Sequence, residues 1–209
     1  MKPFLIIGSG GHGKSVLDCL LQLNSDADVV FASNDASPSP IPGFRILNEN
    51  HISIEEMIAD YCGVVVAIGD NYARLNKIKR LTAAGVSLPS IIHPNASVSP
   101  LSTIGRGSVV LASAVVNSFA RVGDGCIINT GAIVEHECQI GHGVHLSPKV
   151  ALGGGTIIGD RTWLCIGSSV SDHVSVPCDS VVAAGAVVLD TVKQAGLYAG
   201  VPAVLKRRY

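Results

Sequence analysis

The chain has 209 residues, of which 47% are hydrophobic and only 15% are charged, and this composition excludes an intrinsically disordered chain. Its formal net charge of -1 supplies no general attraction for polyanions, so we expect neither a nucleic acid nor a membrane surface as a partner. Aromatic residues make up 4% of the chain, which disfavours recognition by stacking on aromatic side chains.

The six cysteines are scattered without CxxC spacing, a pattern that predicts reduced thiols rather than a disulfide framework. The chain holds no apolar run of about 18 residues, the length that a membrane-spanning helix requires. The apolar stretch before Gly8 is too short for a secretory signal. We therefore expect a cytoplasmic protein.

Short apolar runs alternate with amphipathic stretches in residues 1–90, which predicts a domain of alternating strands and helices. Such alternation implies a parallel sheet of three or four strands. The predicted elements are a strand at Phe4–Ile7, a helix with Val16, Leu17, Leu20 and Leu21 on one side, a strand at Val29–Phe31, a Pro-rich loop at Ser37–Gly43, a helix that begins at a capping box of Ser53 and Glu56 and runs through Ala59, a strand at Val64–Ile68, and a helix capped by Asp70 that ends at Gly85.

The glycine loop between the first strand and the first helix fits two phosphate-binding patterns. Gly8-x-Gly10-x-x-Gly13 matches the dinucleotide fingerprint, and the same loop followed by Lys14-Ser15 matches a Walker A sequence. About ninety residues leave little room for the larger sheet and the acidic Mg²⁺ ligand of a P-loop NTPase. An NAD site with Asp35 near the ribose and a purely structural turn remain open. We favour a helix N-terminus whose amides hold the diphosphate or sugar of a nucleotide, with His12 beside it.

Aliphatic side chains recur every six residues from Ile92 to Val188 without interruption. A second row of small side chains follows four residues behind, from Ala96 to Ala186. A period of six fits short extended segments joined by tight corners, with one branched and one small side chain pointing inward per segment. Three hexads per turn predict a parallel β-helix of five to six coils. Glycine at the second hexad position, as in Gly105, is expected to supply backbone freedom at the corners.

His136 is the histidine best placed for chemistry. Val134 and Cys138 belong to the inward rows, so the side chain between them points outward. A histidine placed in this way can serve as a general base, a role that requires neither a metal nor a covalent intermediate. A zinc site that uses His136 with His142 and His145 is the alternative. One coil of eighteen residues beyond His136 lies a glycine, so no facing ligand is present.

Four segments carry a resemblance to a known family: the loop Gly8–Gly13, Val66–Asn71, Asn129–Gly141 and Gly200–Ala203. With them the chain resembles the bacterial hexapeptide-repeat sugar acetyltransferases, which include UDP-4-amino-sugar N-acetyltransferases and sialic acid O-acetyltransferases. The resemblance implies an α/β Rossmann-like domain at 1–90 that binds a nucleotide sugar. It also implies a left-handed parallel β-helix of hexapeptide repeats at 91–190 and a C-terminal tail at 191–209 that contributes to the CoA site. Active members are homotrimers with acetyl-CoA in the groove between neighbouring coils.

The resemblance also implies roles for individual residues. It makes His136 the catalytic base, Glu137 the carboxylate that raises its basicity, and Asn129 a polar active-site residue. Contacts with acetyl-CoA are implied at His145, Gly154, Ile166 and Ala184, with the Gly154 amide polarising the thioester carbonyl. Contacts with the nucleotide sugar are implied at Gly10, Gly11, His12 and Gly69. After the second strand the family usually shows an acidic pair where this chain has Ser33-Asn34-Asp35, which leaves the nucleotide base open.

These assignments predict an enzyme that moves acetyl from acetyl-CoA to the 4-amino group of a nucleotide-linked 4-amino-4,6-dideoxy sugar, for surface glycan or glycoprotein biosynthesis. A sialic acid O-acetyltransferase is the alternative enzyme. A nucleotide-binding scaffold with an inactive β-helix is the alternative outside enzymes, because a fold does not determine a function.

Overall fold

The computed structural model describes residues 2–35 and 41–209 of the chain. The N-terminal α/β domain is built from four strands and three helices. These are β1 (Phe4–Ile7), α1 (Gly11–Leu23), β2 (Val29–Ser33), β3 (Ile46–Asn48), α2 (Ile54–Asp60), β4 (Gly63–Val66) and α3 (Asn71–Ala83). All strand pairs are parallel, and the sheet order is β3-β2-β1-β4. The parallel sheet, the capping box of Ser53 and Glu56 and the Asp70 cap of α3 are confirmed.

The boundaries of several elements differ from the predicted ones, and one strand was not predicted. Strand β2 continues to Ser33, and β4 ends at Val66. The sequence does not predict β3, because its three residues are too few and too exposed to show an alternating pattern. Residues 37–40 of the predicted Pro-rich loop lie outside the described residues, and Pro42 and Gly43 form a turn.

The second part is a parallel β-helix with three faces, built from seventeen two-residue strands. The first face consists of β5 (Ile91–Ile92), β8 (Val109–Val110), β11 (Ile127–Ile128), β14 (His145–Leu146), β17 (Trp163–Leu164) and β20 (Val181–Val182). The second face consists of β6 (Ser97–Val98), β9 (Val115–Val116), β12 (Ile133–Val134), β15 (Ala151–Leu152), β18 (Ser169–Val170) and β21 (Val187–Val188). The third face consists of β7 (Thr103–Ile104), β10 (Arg121–Val122), β13 (Gln139–Ile140), β16 (Ile157–Ile158) and β19 (Ser175–Val176).

The three faces of the β-helix enclose a triangular prism, and both predicted inward rows form its core. Val134, Leu152 and Val170 represent the branched row, and Ala132 and Cys138 the small row; each is at most 3% exposed. Equivalent residues eighteen apart pair in register, as Val134 does with Leu152. The period of six therefore records which side chain of each hexad points into the prism.

The expected reason for glycine at the second hexad position is wrong. Residues with left-handed backbone recur every six positions from Gly107 to Gly185, which is the fourth position of each hexad. Gly105 and its equivalents occupy the second position, where the backbone is not left-handed. Gly105 is needed because a Cβ there would overlap the backbone of Gly123 in the next coil. The close stacking of neighbouring coils, rather than corner freedom, thus selects these glycines.

A C-terminal hairpin completes the first face. Its strands are β22 (Gly196–Ala199), which pairs with β20, and β23 (Val204–Arg208), which is antiparallel to β22. Among the described residues, no helix has both the length and the hydropathy needed to cross a lipid bilayer.

Arg74 joins the two parts of the molecule. Its side chain is fully buried, and its hydrogen-bond acceptors among the described residues are four backbone carbonyls and the side-chain oxygen of Asn71. On the β-helix it donates to the carbonyl oxygens of Gly125 (2.7 Å) and Gly143 (2.9 Å). Within the N-terminal domain it donates to the carbonyls of Ile68 (2.9 Å) and Gly69 (3.0 Å). The Arg74 guanidinium therefore holds the loop after β4 in contact with the corners of the β-helix.

Candidate active site

His136 lies on the corner between the second and third faces, which we call the His136 edge (residues 117–120, 135–138, 153–156 and 171–174). Its side chain is 57% exposed and its Nδ1 lies 3.2 Å from Oε2 of Glu137. Glu137 occupies the left-handed position of this corner, at φ 60°. This backbone turn places the carboxylate beside the ring. Nδ1 is thereby engaged, so Nε2 is the nitrogen free to exchange a proton with a substrate.

Gly154 provides the space that the His136 ring occupies. A Cβ at Gly154 would lie 2.7 Å from both Cε1 and Nε2 of the imidazole. The amide of Gly154 donates to Oδ1 of Asp172 at 2.7 Å. The group that sequence comparison assigns to the thioester carbonyl is therefore already bonded to a carboxylate in this structure.

His145 lies on the first face, and Asn129 directly follows β11 of the same face. Asn129 Nδ2 is 3.3 Å from His145 Nε2. On its other side, the His145 ring stacks on Trp163 with ring centroids 6.0 Å apart, and the indole donates to Ser147 Oγ at 2.9 Å. Burial and the charge of Arg74 lower the pKa of His145 to about 4, so its imidazole is neutral at neutral pH.

His12 is the most deeply buried histidine of the candidate site. Burial lowers its pKa to about 3, with smaller contributions from Arg74 and His145, so it too is neutral at neutral pH. Its Nε2 is buried and has no hydrogen-bond partner within residues 2–35 and 41–209. A buried polar atom without a partner is costly, and a bound ligand is one way to satisfy it.

The glycine loop serves two purposes at different positions. A Cβ at Gly8 would lie 2.6 Å from the carbonyl oxygen of Ala67, and one at Gly13 would overlap the carbonyl of Gly8. These two glycines are required for the packing of β1, β4 and α1. At Gly10 and Gly11 a Cβ would meet nothing within 4 Å, so packing does not require glycine there. Packing therefore explains the glycines at positions 8 and 13, whereas Gly10 and Gly11 remain accessible to a ligand.

Gly69 follows β4 and lines a cleft of about 470 Å³ between the N-terminal domain and the first face. His145 and Trp163 line the same cleft, together with Tyr72 at the start of α3. A residue assigned to the nucleotide sugar and one assigned to acetyl-CoA thus share one cavity.

Ile166 and Ala184 lie on the corner between the first and second faces, which we call the Ile166 edge (residues 111–114, 129–132, 147–150, 165–168 and 183–186). Ile166 is 56% exposed, and Ala184 is exposed one coil further along. Together with His145 they follow one side of the prism towards the C-terminal hairpin.

The predicted residues therefore fall into two groups. Gly69 and His145 line the cleft at the first face, and His12 lies close enough to His145 for the two rings to interact electrostatically. His136 lies on the edge opposite that face, because the His136 edge separates the other two faces. A single chain does not bring the two groups together. No group of three or more potential metal ligands occurs in the described part of the chain.

Sequence reasoning misses Arg74, Trp163 and Asp172. Arg74 looks like an ordinary polar position of an amphipathic helix. Trp163 occupies an outward position of its hexad, where the only tryptophan of the chain is a signal that could have been used. Asp172 lies eighteen residues beyond Gly154, which is one coil of the β-helix. Its position next to Gly154 could therefore have been predicted from the repeat length.

Comparisons with known proteins agree with this architecture. Residues 4–81 match the family model described as the PglD N-terminal domain. UDP-N-acetylbacillosamine N-acetyltransferase from Bacillus subtilis is 33% identical over 115 residues, which span 54% of this chain and 52% of that protein. The matched segment thus covers about half the length of that curated relative.

Several solved structures match over nearly the full chain. PerB from Caulobacter crescentus, solved in complex with CoA and GDP-perosamine, has a TM-score of 0.91 and 34% identity, covering 99% of this chain and 98% of that one. The acetyltransferase domain of PglB from Neisseria gonorrhoeae has a TM-score of 0.90 and 34% identity, covering 99% and 100%.

The left-handed parallel β-helix of hexapeptide repeats is the fold of the hexapeptide-repeat acyltransferases. An α/β domain with an exposed glycine loop precedes the β-helix. The chain belongs to the bacterial hexapeptide-repeat sugar acetyltransferases that include PerB and the PglB acetyltransferase domain.

Proposed function

We propose that this protein transfers the acetyl group of acetyl-CoA to the 4-amino group of a nucleotide-linked 4-amino-4,6-dideoxy sugar, for surface glycan or glycoprotein biosynthesis. The observation that carries the proposal is the His136–Glu137 pair. Glu137 contacts Nδ1 of His136, and Nε2 of the same ring lies against Gly154, which has no side chain. Support comes from the end-to-end likeness to PerB, which was solved with CoA and GDP-perosamine.

The reaction needs one base and one carbonyl activated as a thioester. The sugar amine attacks the acetyl carbonyl carbon, and Nε2 of His136 takes the proton that the nitrogen loses. Glu137 at Nδ1 stabilises the imidazolium that forms and holds the ring in position. The carbon–sulfur bond then breaks, CoA leaves as a thiolate that is reprotonated, and the amide product remains.

Release of free CoA thiol tests this function directly. Acetyl-CoA is mixed with GDP-, UDP- and dTDP-linked 4-amino sugars, with sialic acid as a further acceptor. We expect stoichiometric thiol release and an N-acetylated sugar with at least one nucleotide-linked amine. Release with sialic acid alone would establish the O-acetyltransferase, and no release with any acceptor would leave a binding scaffold.

We propose that Gly10, Gly11, His12 and Gly69 bind the nucleotide sugar. The loop glycines present backbone amides at the N-terminus of α1, a position that favours the negative charge of a diphosphate. The buried Nε2 of His12 offers a further polar contact. We assign His145, Ile166 and Ala184 to acetyl-CoA, with Asn129 orienting His145. The tail at 191–209 would close the end of that groove.

Gly11→Val is expected to raise the KM for the nucleotide sugar by about tenfold to a hundredfold, because a lost hydrogen bond to a charged group costs about 1.5–3 kcal/mol. The added side chain enters open space, so the fold should persist. Gly13→Ala supplies the contrast, since its methyl group would overlap Gly8 and should lower the melting temperature. An effect of Gly11→Val on acetyl-CoA affinity alone would contradict the assignment of the loop to the sugar.

We also propose that the protein works as a homotrimer, because the residues for the sugar and the catalytic base lie on opposite sides of one prism. Large apolar side chains are exposed along the prism, as a subunit interface requires: Leu101, Phe119, Ile133, Ile157 and Ile166.

Light scattering is expected to report a mass near three chains. Refolding an equal mixture of His136→Ala and Gly11→Val chains should restore activity at low sugar concentration. In such mixed trimers, some sites combine an intact loop from one chain with an intact histidine from its neighbour. An active monomer, or a mixture that recovers no activity, would contradict a site shared between chains.

A further inference from the structure

Two glycines leave a notch on the His136 edge, and two histidines lie over it from opposite sides. His136 reaches Gly154 from the preceding coil, as described above. A Cβ at Gly155 would lie 2.5 Å from Nδ1 and 2.9 Å from Cε1 of His173, which belongs to the following coil. His173 is exposed, and neither of its ring nitrogens has a hydrogen-bond partner in the described ranges 2–35 and 41–209.

The Gly154 amide already has a hydrogen-bond acceptor at this notch. That N–H is bonded to Asp172 Oδ1 at 2.7 Å. The same arrangement recurs elsewhere in the β-helix, where Asp124 accepts from the amide of Arg106 at 2.9 Å and Asp160 from that of His142 at 2.8 Å. An aspartate one coil further along is thus a regular brace of this prism. Its negative charge also disfavours a developing oxyanion at the same amide.

We propose that His173 is a second catalytic residue, whose ring N–H hydrogen-bonds the acetyl oxygen as the tetrahedral intermediate forms. This inference rests on the proposed acetyl transfer. The position suits the role, because the imidazole lies over Gly155, directly after the residue that the His136 ring covers. Adjacent Cα atoms are about 3.8 Å apart, so the two rings cover neighbouring residues of the same corner.

In the proposed mechanism, His136 and His173 have separate roles. His136 removes one proton from the attacking amine, and the carbonyl oxygen gains negative charge as the new C–N bond forms. His173 donates a hydrogen bond to that oxygen without giving up its proton. When the C–S bond breaks, the carbonyl reforms, the CoA thiolate leaves with the electron pair, and the hydrogen bond weakens again.

The test compares His173→Ala, His173→Gln and, as a matched control on another corner of the prism, His142→Gln. Removal of an oxyanion donor costs about a hundredfold or more in rate. We therefore expect His173→Ala to lower kcat by about a hundredfold with acetyl-CoA affinity unchanged. His173→Gln keeps an N–H donor and should stay within about tenfold of wild type. His142→Gln should match wild type.

A double variant tests why this chain needs His173. Asp172→Ala frees the Gly154 amide, so adding it to His173→Ala should raise kcat above that of His173→Ala alone. His173→Ala with more than half of wild-type kcat, or His173→Gln as poor as His173→Ala, would overturn the inference while leaving the acetyl transfer intact. A wild-type enzyme that releases no CoA thiol with any acceptor would instead remove the proposed function, and this role with it.

Discussion

His136→Ala is expected to lower kcat by about a hundredfold to ten-thousandfold, the usual contribution of a positioned general base. The side chain is 57% exposed and belongs to neither inward row, so the loss should not affect the core. Steady-state kinetics with saturating acetyl-CoA measure the effect. The melting temperature, the mass in solution and the affinity for acetyl-CoA should all stay close to wild type.

Two further variants test whether His136 is the general base. Glu137→Gln should lower kcat less than His136→Ala, because it removes the stabilising carboxylate but leaves the imidazole in place. His142→Gln, on another corner of the same prism, should have no effect on kcat. A His136→Ala enzyme that keeps more than about a tenth of wild-type kcat would show that another group accepts the proton.

Arg74→Met is expected to lower the free energy of unfolding by about 3–5 kcal/mol, because it leaves several buried carbonyl oxygens without donors. The affected acceptors include the carbonyls of Gly69, Gly125 and Gly143. Burial lowers the pKa of Arg74 to about 10, so the guanidinium remains protonated at neutral pH and all its donors are available. Urea unfolding followed by circular dichroism measures the loss.

Arg80→Met is the matched control, because Arg80 lies on the same helix with an exposed side chain. It should cost less than about 1 kcal/mol. Arg74→Met should also raise the KM for the nucleotide sugar, since Gly69 loses the donor that holds its carbonyl. An Arg74→Met protein as stable as Arg80→Met would mean that these carbonyls find other donors, and that the guanidinium does not join the two parts.

The candidate site could be predicted only as separate pieces. The outward direction of His136 follows from its place between Val134 and Cys138, and the structure confirms both as buried. The catalytic role of His136 stays a prediction that the kinetic variants will test. The engaged state of the Gly154 amide could not be predicted from residue type, since it depends on Asp172 in the next coil.

The glycine loop shows the same limit within a few residues. The pattern Gly8-x-Gly10-x-x-Gly13 does not distinguish glycines that packing requires from those that it does not. The structure separates them, because Ala67 approaches Gly8 closely and the Gly8 carbonyl approaches Gly13, whereas Gly10 and Gly11 lie open. The backbone that approaches Gly8 comes from Ala67, far away along the chain.

The hexapeptide period alone establishes the β-helix, because each coil repeats the same inward rows and stacks only on its neighbours. Burial in such a fold is a function of position within six residues, and the sequence records it directly. The placement of the N-terminal domain depends instead on contacts between distant residues, such as Arg74 with Gly125 and Asn71 with Arg161. No local pattern encodes these pairs, so only the folded chain shows that His12 and His145 lie near each other while His136 occupies the opposite edge.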